Sequence, residues 1–313
     1  MRYKDCEKAV IRKAVAKILI TGASGMIGTH LNRFLKDAGH EVVFLSRSRK
    51  GHSTNTFLWN LDENFIEPGA FDGVDTIVHL AGAGIAEKRW TKERKKELLD
   101  SRVLSTRLLI ETLKKTDHQV KGIVSASAIG YYGFHNEDQA LKETDAPGTD
   151  FLAGVVKSWE DEVHRFGELG IRLAIMRIGI VLSADGGAFS EIARPIRFHI
   201  GAPLGSGNQH MSWVHIDDVC LMFQKAIEDE TIHGIYNVAG PYSVTNHEFT
   251  NAIATRMRRR ILLPPVPGFL LKIAFGEMAD LVLRGSIVSS EKIQKAGYQF
   301  RYDKLEKAID ALL

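Results

Sequence analysis

The first clear signal along the chain is Lys17-Ile18-Leu19-Ile20-Thr21, a β-rich apolar run that ends in a cluster of glycines. Ile27, Leu31 and Leu35 then recur at helical spacing, so residues 26–38 read as an amphipathic helix stopped by Gly39. Further strands are predicted at Glu41 to Leu45, Asp75 to Leu80, Lys121 to Ala126 and Arg172 to Met176. Helices at about Trp90 to Lys115 and at residues 151–168 fall between them. The strands lack polar alternation, which is the pattern of a parallel sheet covered by helices on both faces. The expected fold class is α/β: a Rossmann-type doubly wound parallel sheet with a smaller, mostly helical C-terminal lobe.

Past Ser183 the rhythm changes. Gly201-Ala202-Pro203-Leu204-Gly205-Ser206-Gly207 is a loop, His215 to Glu228 is helical, and Thr245-Asn246-His247-Glu248 is a capping box that opens another helix. Helical pattern then continues to Leu313, broken at Pro264-Pro265-Val266-Pro267. The predicted organisation is a basic leader over residues 1–16, a cofactor domain over 17–240 and a helical domain over 241–313. Later strands of the middle segment are expected to join the sheet, and its end to border the substrate cleft.

Composition narrows the class. A chain of 313 residues with 44% hydrophobic and 25% charged residues is ordinary globular material, which excludes disordered and fibrous proteins. The longest apolar stretch, Pro264 to Ala274, is cut by prolines and Lys272, too short to span a bilayer. Two cysteines, Cys6 and Cys220, make neither a disulfide framework nor a four-ligand zinc site, so a cytoplasmic, metal-free protein is expected. Residues 1–17 carry a net +4 against +3 for the whole chain, which leaves residues 18–313 at −1. Arg256, Arg258, Arg259 and Arg260 form a second basic run without the interleaved aromatics that stack on bases. It reads as a solvated helix end. The partner expected is a small-molecule substrate, with neither nucleic acid nor membrane.

The chemistry begins at Thr21-Gly22-Ala23-Ser24-Gly25-Met26-Ile27-Gly28. A strand end followed by spaced glycines and a helix start lets the chain turn tightly at Gly22 and bring backbone against a pyrophosphate at Gly25. Helix and strand pack closely at Gly28. The second strand ends in Ser46-Arg47-Ser48-Arg49-Lys50, where an NAD site would place a carboxylate for the ribose 2′-hydroxyl. Cations here favour a 2′-phosphate instead, with Arg47 as its bidentate partner, so NADP is the expected cofactor.

This turn, together with His79-Leu80-Ala81-Gly82, resembles the extended short-chain dehydrogenase/reductases. Ser101-Arg102, Ser125 to Ala128, Trp159-Glu160, Arg177 to Ala188, Gly205 to Gln209, Ser212 to Asp218 and Tyr236-Asn237-Val238 narrow the match. They are similar to the epimerase-family oxidoreductases that carry their own C-terminal domain. The resemblance covers nearly everything from Lys17 onwards. It implies an NADP-dependent oxidoreductase or epimerase acting on a small carbonyl, alcohol or nucleotide-sugar-like substrate. Its cofactor contacts would be Gly22, Ser24, Gly25, Met26, Ile27, Gly28, Ser46, Arg47, Leu80, Ala81, Gly82, Glu97, Arg102 and Val181.

The chain departs from the wider family at its proton relay. None of the seven tyrosines has lysine four positions later; Lys157 stands about where the lysine belongs, and Ala153 takes the tyrosine's place. The expected catalytic group is therefore Ser127 to orient a substrate oxygen, with Tyr132 or a bound water as proton donor and Lys157 nearby. Without that relay the alternative is a non-catalytic NADP-binding sensor or scaffold. Asp217 and Asp218 are expected to favour a helix start. Gln209, Ser212 and Trp213, in a glycine-flanked loop between the lobes, are expected to touch substrate.

Overall fold

The structure, a computed structural model, describes residues 15–49, 55–134 and 139–313. Most of the leader and Lys50 lie outside the described residues. In chain order the first half runs β1 (Lys17–Thr21), α1 (Met26–Asp37), β2 (Glu41–Ser46), β3 (Thr56–Asn60), β4 (Phe65–Ile66), β5 (Thr76–His79), α2 (Lys92–Leu113), β6 (Gly122–Ala128) and α3 (Phe151–His164). The second half begins with β7 (Arg172–Ile178), β8 (Ile180–Leu182), α4 (Gly187–Arg197), β9 (His210–Met211), β10 (Trp213–His215), α5 (Ile216–Glu228) and β11 (Gly234–Val238). It closes with β12 (Val244–Thr245), α6 (Asn246–Arg256), α7 (Gly268–Phe275), α8 (Asp280–Leu283), α9 (Glu291–Lys295) and α10 (Leu305–Leu312).

Among the described residues eight strands make one sheet in the order β11-β7-β6-β5-β1-β2-β3-β4. Every pairing in it is parallel except β3 with β4. The apolar runs are buried as expected: Ile18, Leu19 and Ile20 of β1 and Ile77 and Val78 of β5 are inaccessible to solvent. Helices α1 and α5 pack together, as do α2 and α3. Strand order reverses at β1, which is flanked by β2 on one side and β5 on the other. In doubly wound sheets that reversal opens a crevice at the carboxyl ends of the strands.

The β3–β4 hairpin escaped the hydrophobic pattern because it sits at the sheet edge: of its residues only Thr56, Trp59 and Ile66 are buried. Helix α3 stops at His164 and continues as a 3₁₀ turn, Arg165–Leu169, capped by left-handed Gly170. A second core gathers Leu182, Phe189, Ile196, Trp213, Phe249, Ile253, Leu305 and Ile309 into the C-terminal lobe. Its α6 carries the predicted capping box, Thr245 and Glu248 bonding each other's backbone N–H.

Candidate cofactor site at the strand-order reversal

Gly22 holds a φ of +70°, and a Cβ there would lie 2.8 Å from the Leu80 carbonyl and 2.9 Å from Ala81 N. Only glycine lets the end of β1 press against the end of β5. A Cβ on Gly28 would meet Ala23 Cα at 2.6 Å, so this glycine packs α1 onto its own entry turn. Gly25 is different: it is exposed, and its nearest neighbour would be Gly22 O at 3.3 Å. Helix α1 starts at this open face with no side-chain cap and no acidic residue in its first turn. Its uncapped N–H groups and positive dipole end suit a phosphate.

Thr21 and His79 lock the geometry. The Thr21 hydroxyl sits 2.8 Å from His79 Nδ1 and accepts from the backbone N–H of Leu80 and Ala81, at 3.1 and 3.2 Å. His79 Nε2 lies 3.0 Å from the Thr106 hydroxyl on α2. Complete burial pushes the His79 pKa down to about 3, so the ring is neutral. The role of His79 is to hold β1, β5 and α2 together.

At the end of β2 the cations divide. Arg49 pairs with Glu67, whose other oxygen accepts from Leu58 N at 2.8 Å. Arg47 is exposed and has no ion pair among the described residues. Ser46 Oγ accepts from Ser48 N. On α2, Glu97 pairs with Arg94 at 2.7 Å, and the bond from that arginine, with the nearby charges of Lys88 and Arg47, lowers its pKa. Arg102 lies against Gly82 and over the Trp159 ring at 5.3 Å. It donates to Leu98 O and Ala83 O and has no carboxylate partner among the described residues. Burial, helped by Arg94, pulls its pKa to about 10. Val181, on β8, joins the same neighbourhood through Gly187, whose added Cβ would lie 3.5 Å from Val181 O and 3.7 Å from Met26 Cε.

The predicted catalytic residues do not converge as a group. Ser127 is buried and donates to Glu160. Glu160 also receives both arms of Arg177, at 2.8 and 2.7 Å. Tyr132 is inaccessible to solvent; its hydroxyl donates to Asn237 Oδ1 at 2.7 Å and accepts from Arg177 at 3.0 Å. Burial raises its pKa to about 12. These side chains tie β6, β7 and β11 to α3 at equivalent register, Ser127 beside Arg177 beside Asn237. Lys157 lies outside this knot, exposed and paired with Asp161 at 2.6 Å, which raises its pKa. Tyr131 is the neighbouring phenol, next to the expected Tyr132 in sequence. It is half-buried, its ring lies 3.5 Å from the Arg177 guanidinium carbon, and its hydroxyl bears electrostatically on Lys157.

The residues expected to meet substrate instead join the lobes. Ser212 donates to Ser286 O at 2.8 Å and accepts from Val288 N at 3.0 Å. Gln209 donates to Leu204 O and Val282 O. Trp213 is buried in the second core. Asp217 and Asp218 both stand in the first turn of α5, as expected of acids at a helix start, but the cap is His215, whose Nδ1 accepts from Asp217 N. Asp218, fully buried, accepts from the Tyr298 hydroxyl and from the backbone N–H of Arg301 and Tyr302.

A mainly parallel sheet with a glycine turn at its reversal, flanking helices and an appended helical lobe defines an extended short-chain dehydrogenase/reductase. The chain belongs to the NAD dependent epimerase/dehydratase family, whose profile matches residues 18–239, and a domain of unknown function, DUF1731, matches residues 266–312. The epimerase family protein Mb2239 of Mycobacterium bovis is 35% identical over 95% of this chain and 97% of its own. The human epimerase family protein SDR39U1 (isoform 2), solved with NADPH, superposes with a TM-score of 0.86 at 30% identity, over 95% of this chain and 98% of that one. A nucleoside-diphosphate sugar epimerase of Corynebacterium glutamicum gives 0.78 at 29% identity over 95% of this chain, which spans 58% of that one.

Proposed function

We propose that this protein is an NADP(H)-dependent oxidoreductase or epimerase, acting on a small carbonyl, alcohol or nucleotide-sugar-like substrate. The observation that carries the reading is the pairing of an open glycine turn with Arg47, an exposed cation with no ion pair among the described residues, where an NAD site would hold an acid. The solved relative with NADPH supports the same choice. The turn around Gly25 and the α1 start would take the pyrophosphate, Arg47 with Ser46 the 2′-phosphate, and Arg102 a further negative group beside Gly82. NADP(H) supplies the hydride when bound. The protein's own part is to move the proton. That part is assigned to Tyr131, the half-buried phenol whose ring lies against the Arg177 guanidinium, because Tyr132 and Ser127 are committed to Arg177, Asn237 and Glu160.

Titration with NADPH and NADH tests the cofactor: the wild type should prefer NADPH, and Arg47→Ala should erase about 1–3 kcal/mol of that preference. Equal affinities in the wild type refute it. A second reading, a non-catalytic NADP-binding sensor, is favoured by the buried Ser127–Glu160–Arg177–Tyr132 knot, which commits Ser127 and Tyr132 to structural partners while Ala153 stands at the relay tyrosine's position. NADPH oxidation against a panel of aldehydes, ketones and nucleotide sugars separates the two, since a sensor binds without turnover.

A further inference from the structure

Two stretches of the C-terminal lobe have no acidic residue at all. Residues 192–204 contain Arg194 and Arg197, and residues 255–275 contain Arg256, Arg258, Arg259, Arg260 and Lys272. The fold sets these stretches side by side. Leu204 bridges Val266 in parallel, with Val266 N donating to Pro203 O at 2.8 Å and Gly205 N to Val266 O at 2.9 Å. Upstream, α4 packs against α6.

The same stretches expose large apolar side chains. Phe198 and Ile200 leave the end of α4, Leu262 and Leu263 follow the arginine run, and Phe269, Leu270, Ile273 and Phe275 belong to α7. These side chains are between 43% and 71% exposed. Helix α7, Gly268–Phe275, is apolar except for Lys272, yet Leu271 is its one buried residue. An apolar helix this short that leaves most of its side chains exposed is unusual for a free surface.

We propose that this face is an interfacial docking surface for an anionic lipid bilayer. Charge selects the occupant. A second copy of the chain meeting this face about a two-fold axis would set acid-free, cationic stretches against each other, an arrangement penalised by like-charge repulsion. Aliphatic side chains such as Leu262, Leu270 and Ile273 gain nothing from a nucleic-acid backbone, whereas a bilayer interface takes both the apolar side chains and the flanking arginines. No helix among the described residues is long and apolar enough to cross a membrane. An interfacial dock needs none, so the missing span that argued against a membrane partner does not bear on it. Of the cations only Arg256 has an ion-pair partner among the described residues, Asp310 at 3.4 Å. The inference is independent of the proposed cofactor chemistry.

Flotation of the full chain with phosphatidylcholine vesicles, with and without about 30% phosphatidylglycerol, tests it. The wild type should float with the anionic vesicles at low salt and be released as salt rises. A Phe269→Ser/Leu270→Ser/Ile273→Ser variant and an Arg258→Ser/Arg259→Ser/Arg260→Ser variant should each partition at least about tenfold less. All six positions are solvent-facing, and unchanged thermal melting and NADPH affinity would establish that the variants fold. Absence of flotation by the wild type on anionic vesicles overturns the proposal, as does equal flotation of either variant. A reversible dimer in sedimentation that the apolar variant abolishes would assign the face to a second copy and overturn it as well.

Discussion

Three side chains show how much a residue's surroundings decide. Tyr131 and Tyr132 are neighbours in sequence and meet edge to face at 5.5 Å, yet one reaches the surface and the other is sealed under Arg177 and Asn237. Tyr132→Phe should therefore lower stability by about 1–3 kcal/mol, because it leaves buried Asn237 Oδ1 without that donor, and spare NADPH affinity. Tyr131→Phe should do the reverse, lowering turnover on any accepted carbonyl by roughly tenfold or more with little change in the denaturation midpoint. Matching effects from both would end the division of labour. His79 carries a pH signature. Its folded pKa of about 3 lies below the ordinary 6.5, so the neutral ring contributes stability that is complete above pH 6.5. That contribution drains away as pH falls from 6.5 towards 3, by up to about 1.4 kcal/mol per pH unit. Urea unfolding across this range should show the slope, and His79→Gln should flatten it.

At the scale of the element, the glycine turn separates folding from binding. Gly28 is pinned against Ala23 Cα, so Gly28→Ala forces backbone apart and should cost about 1–3 kcal/mol as well as cofactor affinity. Gly25 is exposed and an added Cβ would press only on Gly22 O, at 3.3 Å, so Gly25→Ala should destabilise the fold less than Gly28→Ala while weakening NADPH binding at least about tenfold. If Gly25→Ala binds NADPH normally, the pyrophosphate does not lie at this turn. These elements were legible because each depends on neighbours in sequence: an apolar run, glycines at fixed steps, a helical stripe, a Thr-x-x-Glu box. The β3–β4 hairpin was not. Edge strands bury few residues and keep polar ones such as Asn60, so their pattern fades.

For the whole molecule, the joint between lobes is polar and cooperative. Asp218 takes three hydrogen bonds from the 298–302 segment, Ser212 bridges to Ser286 and Val288, and Asn237 donates to Ser289 O. Asp218→Asn keeps the shape but places an amide donor among three donors. It should cost about 1–3 kcal/mol and speed amide exchange at Arg301 and Tyr302 more than in β1. Exchange that rises uniformly across the sheet would show that Asp218 supports the global fold rather than the joint.

Sequence alone determined the strands β1, β2, β5, β6 and β7, the glycine turn and the missing acid at the end of β2, because the physics behind each acts over a few residues. It also exposed the absent tyrosine–lysine step, which is a matter of spacing. Only the tertiary structure decided what Ser127, Tyr132, Gln209 and Ser212 do. Their partners stand 33, 105, 73 and 74 residues away, at Glu160, Asn237, Val282 and Ser286. A hydroxyl or amide has the same chemistry in a cleft as in a core. Which role it takes is set by whether a buried donor or acceptor from another element reaches it before solvent or substrate can, and no local pattern records that contact.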